Sequence, residues 1–441
     1  MNEWIDAEAR VDQARDLYDK GQLVEAAAQL RAAIDVNPYN AAWHFNLGLT
    51  LEAMEQYERA CQAFKSALEL DPDDVETLNC LGVNMTRQGR YAESLEYFQR
   101  LETIQPDYEP AYCNRIVTYA EIGEHEKAEV MFYMARQVLE DCPLCYYNIG
   151  SSFYARGMYE KAIACWKQAL ELDPAHPQAN ARIADAYWAL GDTAAAGLHY
   201  KAELQIAPED LEALLDLGEI QMDMGQIDQA GENFRRALEI QPGNAEAHFC
   251  LGELAMRRNQ PARAAEQFRL VLKIDRGYAG AHARLARILL GEGKARQAIK
   301  HVLAELKRCG DDPDLLQELG QILIDANQTQ RANSVLQRLV CLAPDDACAQ
   351  YNLAVSFFRM HRIDEGIRHC RKAIKLKPGY ALALYNLALA HLQKGQIIRA
   401  RRYAAKALTT APSDEQVIRL SRQLNETGLI ATLRRRLSKG Q

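Results

Sequence analysis

Cys142, Pro143, Leu144 and Cys145 form the one Cys-x-x-Cys of the chain. Two thiols at that spacing suit disulfide exchange or half of a tetrahedral metal site. Disulfide exchange calls for a strand-helix-strand setting, which the flanking sequence lacks. A zinc site calls for four ligands, and the chain holds no second Cys-x-x-Cys and no His-x-x-x-His. The pair therefore reads as two thiols in an inter-helix turn, with no stoichiometric metal, redox turnover or cofactor expected. The ten histidines scatter, and His44, His248 and His282 share one phase of a regular spacing, which argues for packing. No glycine-rich phosphate loop, nucleophile elbow or paired-carboxylate constellation is present, so no catalytic residue is expected. A third set is periodic. Asn46, Asn114, Asn148, Asn352 and Asn386 lie at multiples of 34 residues, and Phe45, Tyr147, Tyr351 and Tyr385 each precede one of them; Phe249 shares that aromatic phase. Tyr154, Trp188 and Phe358 recur at a later phase. An amide offers both donor and acceptor and can pair with any peptide backbone, while aromatic rings add apolar contact.

That spacing belongs to the whole chain. Units of 34 residues begin at Ala7, Ala41, Val75, Glu109, Pro143, Pro177, Leu211, Ala245, Ala279, Pro313, Ala347 and Ala381, without insertion or deletion. Each reads as two amphipathic helices around a turn. In the unit from Pro143, Ile149, Gly150 and Phe153 share one helix face, and Ala162, Trp166 and Ala169 oppose it from the next helix. Position 8 of the unit is Gly or Ala in all but one, the exception being Ile116. Position 20 is Ala in ten, with Ser94 and Gly366 in the others. Position 24 is aromatic from the second unit to the seventh: Phe64, Phe98, Phe132, Trp166, Tyr200 and Phe234. Small residues let two backbones approach, and the large one fills the space beside them. A proline near position 32 closes most second helices.

This pattern resembles the tetratricopeptide repeat family and covers residues 7–414. The resemblance implies an all-α, right-handed superhelical solenoid of twelve helix-turn-helix repeats, preceded by an extension at 1–6 and followed by a degenerate capping repeat and basic tail at 415–441. Trp4 and Ile5 are expected to cover the first end. Ser413 and Gln416 match a capping box, with Val417, Leu420 and Leu424 packing back, while Arg434 blocks further stacking and Leu433 to Gln441 fray. Gln13 replaces a usual Leu or Ile, as suits a terminal unit. Asn259 and Asn327 replace the turn glycine, and Pro261 opens a second helix. The segment from Lys307 to Asp314 is either a soft point or a longer turn.

Composition agrees with such an array. Of 441 residues, 48% are hydrophobic and 25% charged, and no apolar run approaches the ~18 residues of a membrane span. The opening residues show no signal-peptide pattern, and eleven cysteines fit reduced thiols. A cytoplasmic protein is therefore expected. The net charge of −8 is uneven: 17 Lys and Arg against 5 Asp and Glu from His361 onward leave 35 against 55 in the remainder.

The resemblance also places position 6 and its neighbours on the inner groove of first helices, where the asparagines are similar to the ladder of O-GlcNAc transferase. It implies a non-catalytic scaffold binding an extended polypeptide through Asn46, Asn114, Asn148, Asn352 and Asn386, with Phe45, Tyr147, Tyr154, Trp188, Tyr351, Phe358 and Tyr385 beside it. A chaperone-like holder of clients is the alternative of the same class. The carboxylate clamp of co-chaperones is matched only at Asn148 and Arg182, with Cys113, Val117 and Gln178 departing from it. The basic end, including Arg368, Arg371, Lys372, Arg401, Arg402 and Lys406, falls on second helices. It is either solvated or a face for an acidic partner, such as another copy joined end to end; nucleic acid is a lesser alternative and membrane insertion is not expected.

The register makes a direct prediction. Ala162→Leu overpacks the crossing of its hairpin and lowers stability by roughly 1–3 kcal/mol, read as a reduced thermal unfolding midpoint. An unchanged midpoint means the register is wrong.

Overall fold

The computed structural model describes residues 2–138, 142–308 and 310–425, with side chains from Asp6 onward. Twenty-four helices are defined among them, and a further helical stretch covers 415–425. No strand occurs among the described residues. Consecutive helices pair into antiparallel hairpins, the pattern of a helical solenoid, and within each of two compact units the hairpins stack in chain order. The chain divides into two compact units, residues 1–230 and 231–441. The division falls inside the helix Ile227–Ile240, not at 307–314. That latter stretch is a turn, in which Arg338 donates to the Gly310 carbonyl at 2.6 Å and to Asp311 Oδ1 at 2.7 Å. Trp4 and Ile5 side chains, Cys309, Arg434 and the Leu433–Gln441 tail lie outside the described residues.

Hairpin closure follows the periodic residues. The position-20 residue is buried in all twelve repeats. A Cβ added at Gly150 would stand 2.6 Å from Trp166 Nε1, and one at Gly82 or Gly252 would stand 2.6 Å from the ring of Phe98 or Phe268. The ring at position 24 thus lies directly on the bare Cα at position 8, and Trp166 Nε1 donates to the Tyr147 carbonyl at 3.0 Å. Position 15 is left-handed throughout, at glycine in eight repeats and at Glu55, Asn259, Asn327 and His361 in the others. Asparagine tolerates that conformation best of the four.

Nine predicted repeat starts coincide with the first residue of a helix. Repeats six and nine differ. Their first helices begin two residues late, at Ala179 and Ala281, after left-handed Gln178 and Gly280. The cause is a buried carboxylate. Position 27 is Ala, Leu or Val in ten repeats but Glu203 and Glu305 in these two. Glu203 accepts the N–H groups of Gln178 at 3.1 Å and Ala181 at 3.3 Å. Glu305 does the same for Gly280 at 3.1 Å and Ala283 at 3.2 Å. A carboxylate accepting free N–H groups at a helix N-terminus is favoured by hydrogen bonding and by the helix dipole.

Polar pairs span hairpins from position 4 to position 23: His199 with Asn180, His248 with Gln267, His282 with His301, and His369 with Gln350. His248 and His282 are thus packing residues, as their phase predicts, and His44 meets the Pro38 carbonyl at 3.0 Å. At the far end, Val417, Leu420 and Leu424 are buried as expected. The cap itself is Asp414, which accepts from the N–H groups of Gln416 and Val417. Ser413 is not the cap residue, because Asp414 stands immediately before the helix. Arg401 is also reassigned: its guanidinium donates to the Leu424 carbonyl at 2.7 and 2.8 Å, closing the last hairpin. Arg368, Arg371, Lys372, Arg402 and Lys406 are exposed.

Glu203→Ala places at position 27 the residue seven other repeats carry there, yet it leaves two helix N-terminal N–H groups without their acceptor. A loss of about 1–3 kcal/mol is expected, measured by denaturant unfolding. The comparison Ala237→Gly, which removes only a methyl and adds backbone freedom, calibrates the assay.

Candidate functional site

Position 6 and its neighbours do lie on the first helices, but much of the asparagine set is tied up between repeats. Asn114 Nδ2 donates to Asn79 Oδ1 at 2.8 Å, Asn148 Nδ2 to the Cys113 carbonyl at 3.1 Å, and Asn386 Nδ2 to the Tyr351 hydroxyl at 3.0 Å. Each bond spans 35 residues, from position 6 to position 5 of the preceding repeat. The amides are first of all staples between successive first helices. Asn352 is largely buried, with Nδ2 3.8 Å from Cys348 Sγ, and lies at the wall of a recess of the second unit. Asn46 is half-buried, in a recess of the first unit with Arg15, Tyr18 and Leu49.

The aromatics divide similarly. Phe45 rests on Phe64 at 5.7 Å between ring centroids, Tyr147 stacks on His176 at 4.7 Å, and Phe249 lies 5.4 Å from Phe268. Phe358 covers the bare Cα of Gly366 across its own hairpin, because this repeat alone has glycine at position 20. The ring is half-buried, so it fills the hairpin on one side and keeps part of its surface exposed. Tyr385 packs partly buried beside Leu420 and Leu424. Tyr154, Trp188 and Tyr351 remain on recess walls.

In the first unit, Tyr154, Asp185, Trp188, Tyr200, Glu212 and Asp216 line a recess of about 490 Å³. The Tyr200 hydroxyl lies between two carboxylates: it donates to Asp185 and stands 3.1 Å from Asp216 Oδ2. Burial, with Asp185 and two glutamates nearby, outweighs the Tyr200 hydrogen bond and raises the Asp216 carboxyl to about 7. Arg182 pairs with Asp185 at 3.2 Å. In the second unit, a recess of about 940 Å³ is lined by first-helix residues, among them Arg284, Glu318, Tyr351 and Asn352, and by Tyr380 at the next helix N-cap. Arg284 holds Glu253 at 2.7 Å and also pairs with Glu318, which meets Arg287 at 2.9 Å. Where it departs from asparagine, position 6 carries Asp12, Arg182, Asp216, Arg284 and Glu318, with Cys80 and Cys250 in the remaining two repeats. Of these charges the sequence reading singled out only Arg182, although all share the asparagine phase.

Cys142 and Cys145 are not alone either. Cys113, from the neighbouring first helix, places its sulfur 3.4 Å from Cys142 Sγ and 3.0 Å from Cys145 Sγ, and all three are buried. The hydrogen bonds each sulfur makes to the other two act in opposite directions, and burial lifts all three thiols above the ordinary range. They are the only three or more His, Cys, Asp or Glu side chains grouped as a metal ion would need among the described residues. Cys113 stands 29 and 32 residues from its partners, close to one repeat period, and that near-match is the signal that could have joined them.

Asp216 generates a pH prediction. Its folded pKa lies above the usual carboxylate value near 3.9, so the folded state holds the proton more tightly. Stability from this group is complete below about pH 4 and is lost as pH rises through about 7. Asp216→Asn removes that loss. Relative to wild type, the variant gains on the order of 2 kcal/mol between pH 4 and 8, about half the full shift because the site is partly open to solvent. Urea unfolding across that range measures it.

Sequence profiles of the tetratricopeptide repeat match residues 11–75, 50–109, 215–279, 318–381 and 351–415, and a TPR repeat profile matches 150–191. No curated protein matches the sequence. Among solved structures, the chain is similar to one in the crystal structure of the APC/C hetero-tetramer Cut9-Hcn1, at 14% identity and TM-score 0.47, covering 93% of this chain and 95% of that one. It is also similar to yeast Tom70, at 16% identity and TM-score 0.42, covering 98% and 96%. YrrB, described as a TPR protein with an unusual peptide-binding site, matches at 22% identity and TM-score 0.38 over 44% of this chain and 99% of its own. No described helix is long and apolar enough to cross a membrane. With repeat profiles matched over more than half its length and paired helices throughout, the chain belongs to the tetratricopeptide repeat family, whose fold is in general a non-catalytic scaffold for protein interactions.

Proposed function

We propose that the first-helix faces bind an extended polypeptide, and that the first unit selects a basic side chain within it. The observation carrying this reading is the composition of the recess: Trp188 and Tyr154 stand beside Asp185, Glu212 and Asp216. A lysine or arginine placed there meets an aromatic face and a cluster of carboxylates, each of which favours a cation. Asp216, held protonated to about pH 7 by burial, ionises when a cation arrives. Binding then tightens as pH rises from 6 to 8. In the second unit, Tyr351 and the Arg284–Glu318 pairs supply a contact zone for a neutral or mixed-charge segment. Asn114 and Asn148 take part through whatever amide capacity their inter-repeat bonds leave and so contribute both to binding and to stability, while Asn46 contributes to binding from its recess.

A displayed library of random dodecapeptides tests the reading. Enriched peptides should carry Lys or Arg near an apolar residue, and Trp188→Ala or Asp185→Asn should weaken them at least tenfold. Each of Asn46→Ala, Asn114→Ala and Asn148→Ala should cost about 0.5–1.5 kcal/mol of binding. Arg402→Glu with Lys406→Glu, on an exposed second-helix face, should leave binding intact. If the Arg402 and Lys406 changes abolish binding while Trp188→Ala does not, the first-helix reading fails.

A further inference from the structure

We infer that Cys113, Cys142 and Cys145, with Glu109 as fourth ligand, form a structural binding site for a thiophilic divalent ion of the zinc class. Cys142 is the N-cap of the helix Pro143–Ala155, and its sulfur accepts the Cys145 N–H at 3.0 Å. That turn directs both sulfurs to one side, and the helix N-terminus favours negative charge on them. Cys113 approaches from the helix Glu109–Ile122, and the three sulfur atoms lie within 4.8 Å of one another. Glu109 is four residues before Cys113 on the same helix, so it shares its face; its carboxylate stands outside the group of three sulfurs and turns in to complete the set. The ligand order is therefore Glu-x3-Cys followed by Cys-x2-Cys. One pair comes from adjacent turns of a helix and the other from a turn entering a helix, a division that structural zinc sites use.

The dimensions suit an ion. Zinc–sulfur bonds of about 2.3 Å in a tetrahedron put sulfurs about 3.8 Å apart. The observed 3.0 and 3.4 Å contacts open to that by small side-chain rotations. Three sulfurs converging on one point are also one too many for a disulfide. Tyr112, Ile116 and Ile149 belong to the same buried cluster as the three cysteines, while Glu109 is exposed. Binding releases thiol protons to solvent and transfers no electrons. The ion would pin the first helix of repeat four to the start of repeat five, beside Ile116, the only large residue at position 8.

The full chain, reduced and freed of metal, is titrated with cobalt(II) and then zinc(II). One equivalent of cobalt is expected to give intense thiolate-to-metal bands and a tetrahedral visible envelope, both displaced by zinc. Cys113→Ser, which leaves the Cys-x-x-Cys intact, should weaken binding at least 100-fold with unchanged helicity, whereas Cys165→Ser should bind as wild type. Glu109→Ala should weaken it at least tenfold. Absence of bands in wild type, or equal binding by Cys113→Ser, overturns the site. Equal binding by Glu109→Ala overturns the carboxylate ligand. Should Cys113→Ser not fold, competition of wild type against a chelator decides: a zinc ion not held more tightly than by a Cys113-alkylated sample overturns the proposal.

Discussion

Close approach of two helices at a methyl-sized contact is the constraint on which this molecule depends. Position 20 is buried in every repeat, and in most the facing position 8 is also small. With so little volume at the crossing, the position-24 side chain can lie flat on the opposite backbone, as Trp166 does on Gly150. Interiors packed at crystal-like density tolerate neither a gap nor an added methylene there. Where one partner changes, another compensates. Gly366 opens a space that Phe358 fills, and Ile116 stands against Phe132 with the cysteine cluster alongside.

Hairpins of this kind still have to be set in register with their neighbours, and polar groups do much of that. Inter-repeat amide bonds spanning 35 residues recur at Asn114, Asn148 and Asn386. Glu203 and Glu305 cap the first helices of repeats six and nine from inside the fold. A buried hydrogen bond adds only about 1 kcal/mol net, but a buried donor left without a partner costs more. These ties therefore act chiefly against misregistered stacking, which would strand them. Apolar ridges alone would permit slippage by a turn.

The same economy of faces shapes function. Second helices carry the packing residues inward and the basic charges outward, as at Arg402 and Lys406. First helices carry what remains: paired arginines and glutamates in the second unit, and carboxylates around Trp188 in the first. Position 6 serves as a tie between first helices whether it carries an amide, as at Asn114, or a charge, as at Arg284 with Glu253 and Glu318.

The fold was legible in the sequence because a strict 34-residue period converts one hairpin's packing rule into twelve. Gly150, Ala162 and Trp166 were readable as a contact from spacing alone, and nine helix starts followed. The period could not show where polar atoms point. Phe358 shares a phase with Tyr154 and Trp188 but lays its ring over Gly366, because side-chain rotamers answer to the local gap and not to the repeat. Glu203 shortened a helix through two N–H groups contributed by chain more than twenty residues earlier. Cys113 joined Cys142 and Cys145 only when adjacent first helices came side by side, since a separation of 29 and 32 residues becomes 3.0–3.4 Å through stacking. Periodicity determined which helices touch; the tertiary structure decided which polar atoms meet, because that depends on ångström-scale offsets that a repeat length does not encode.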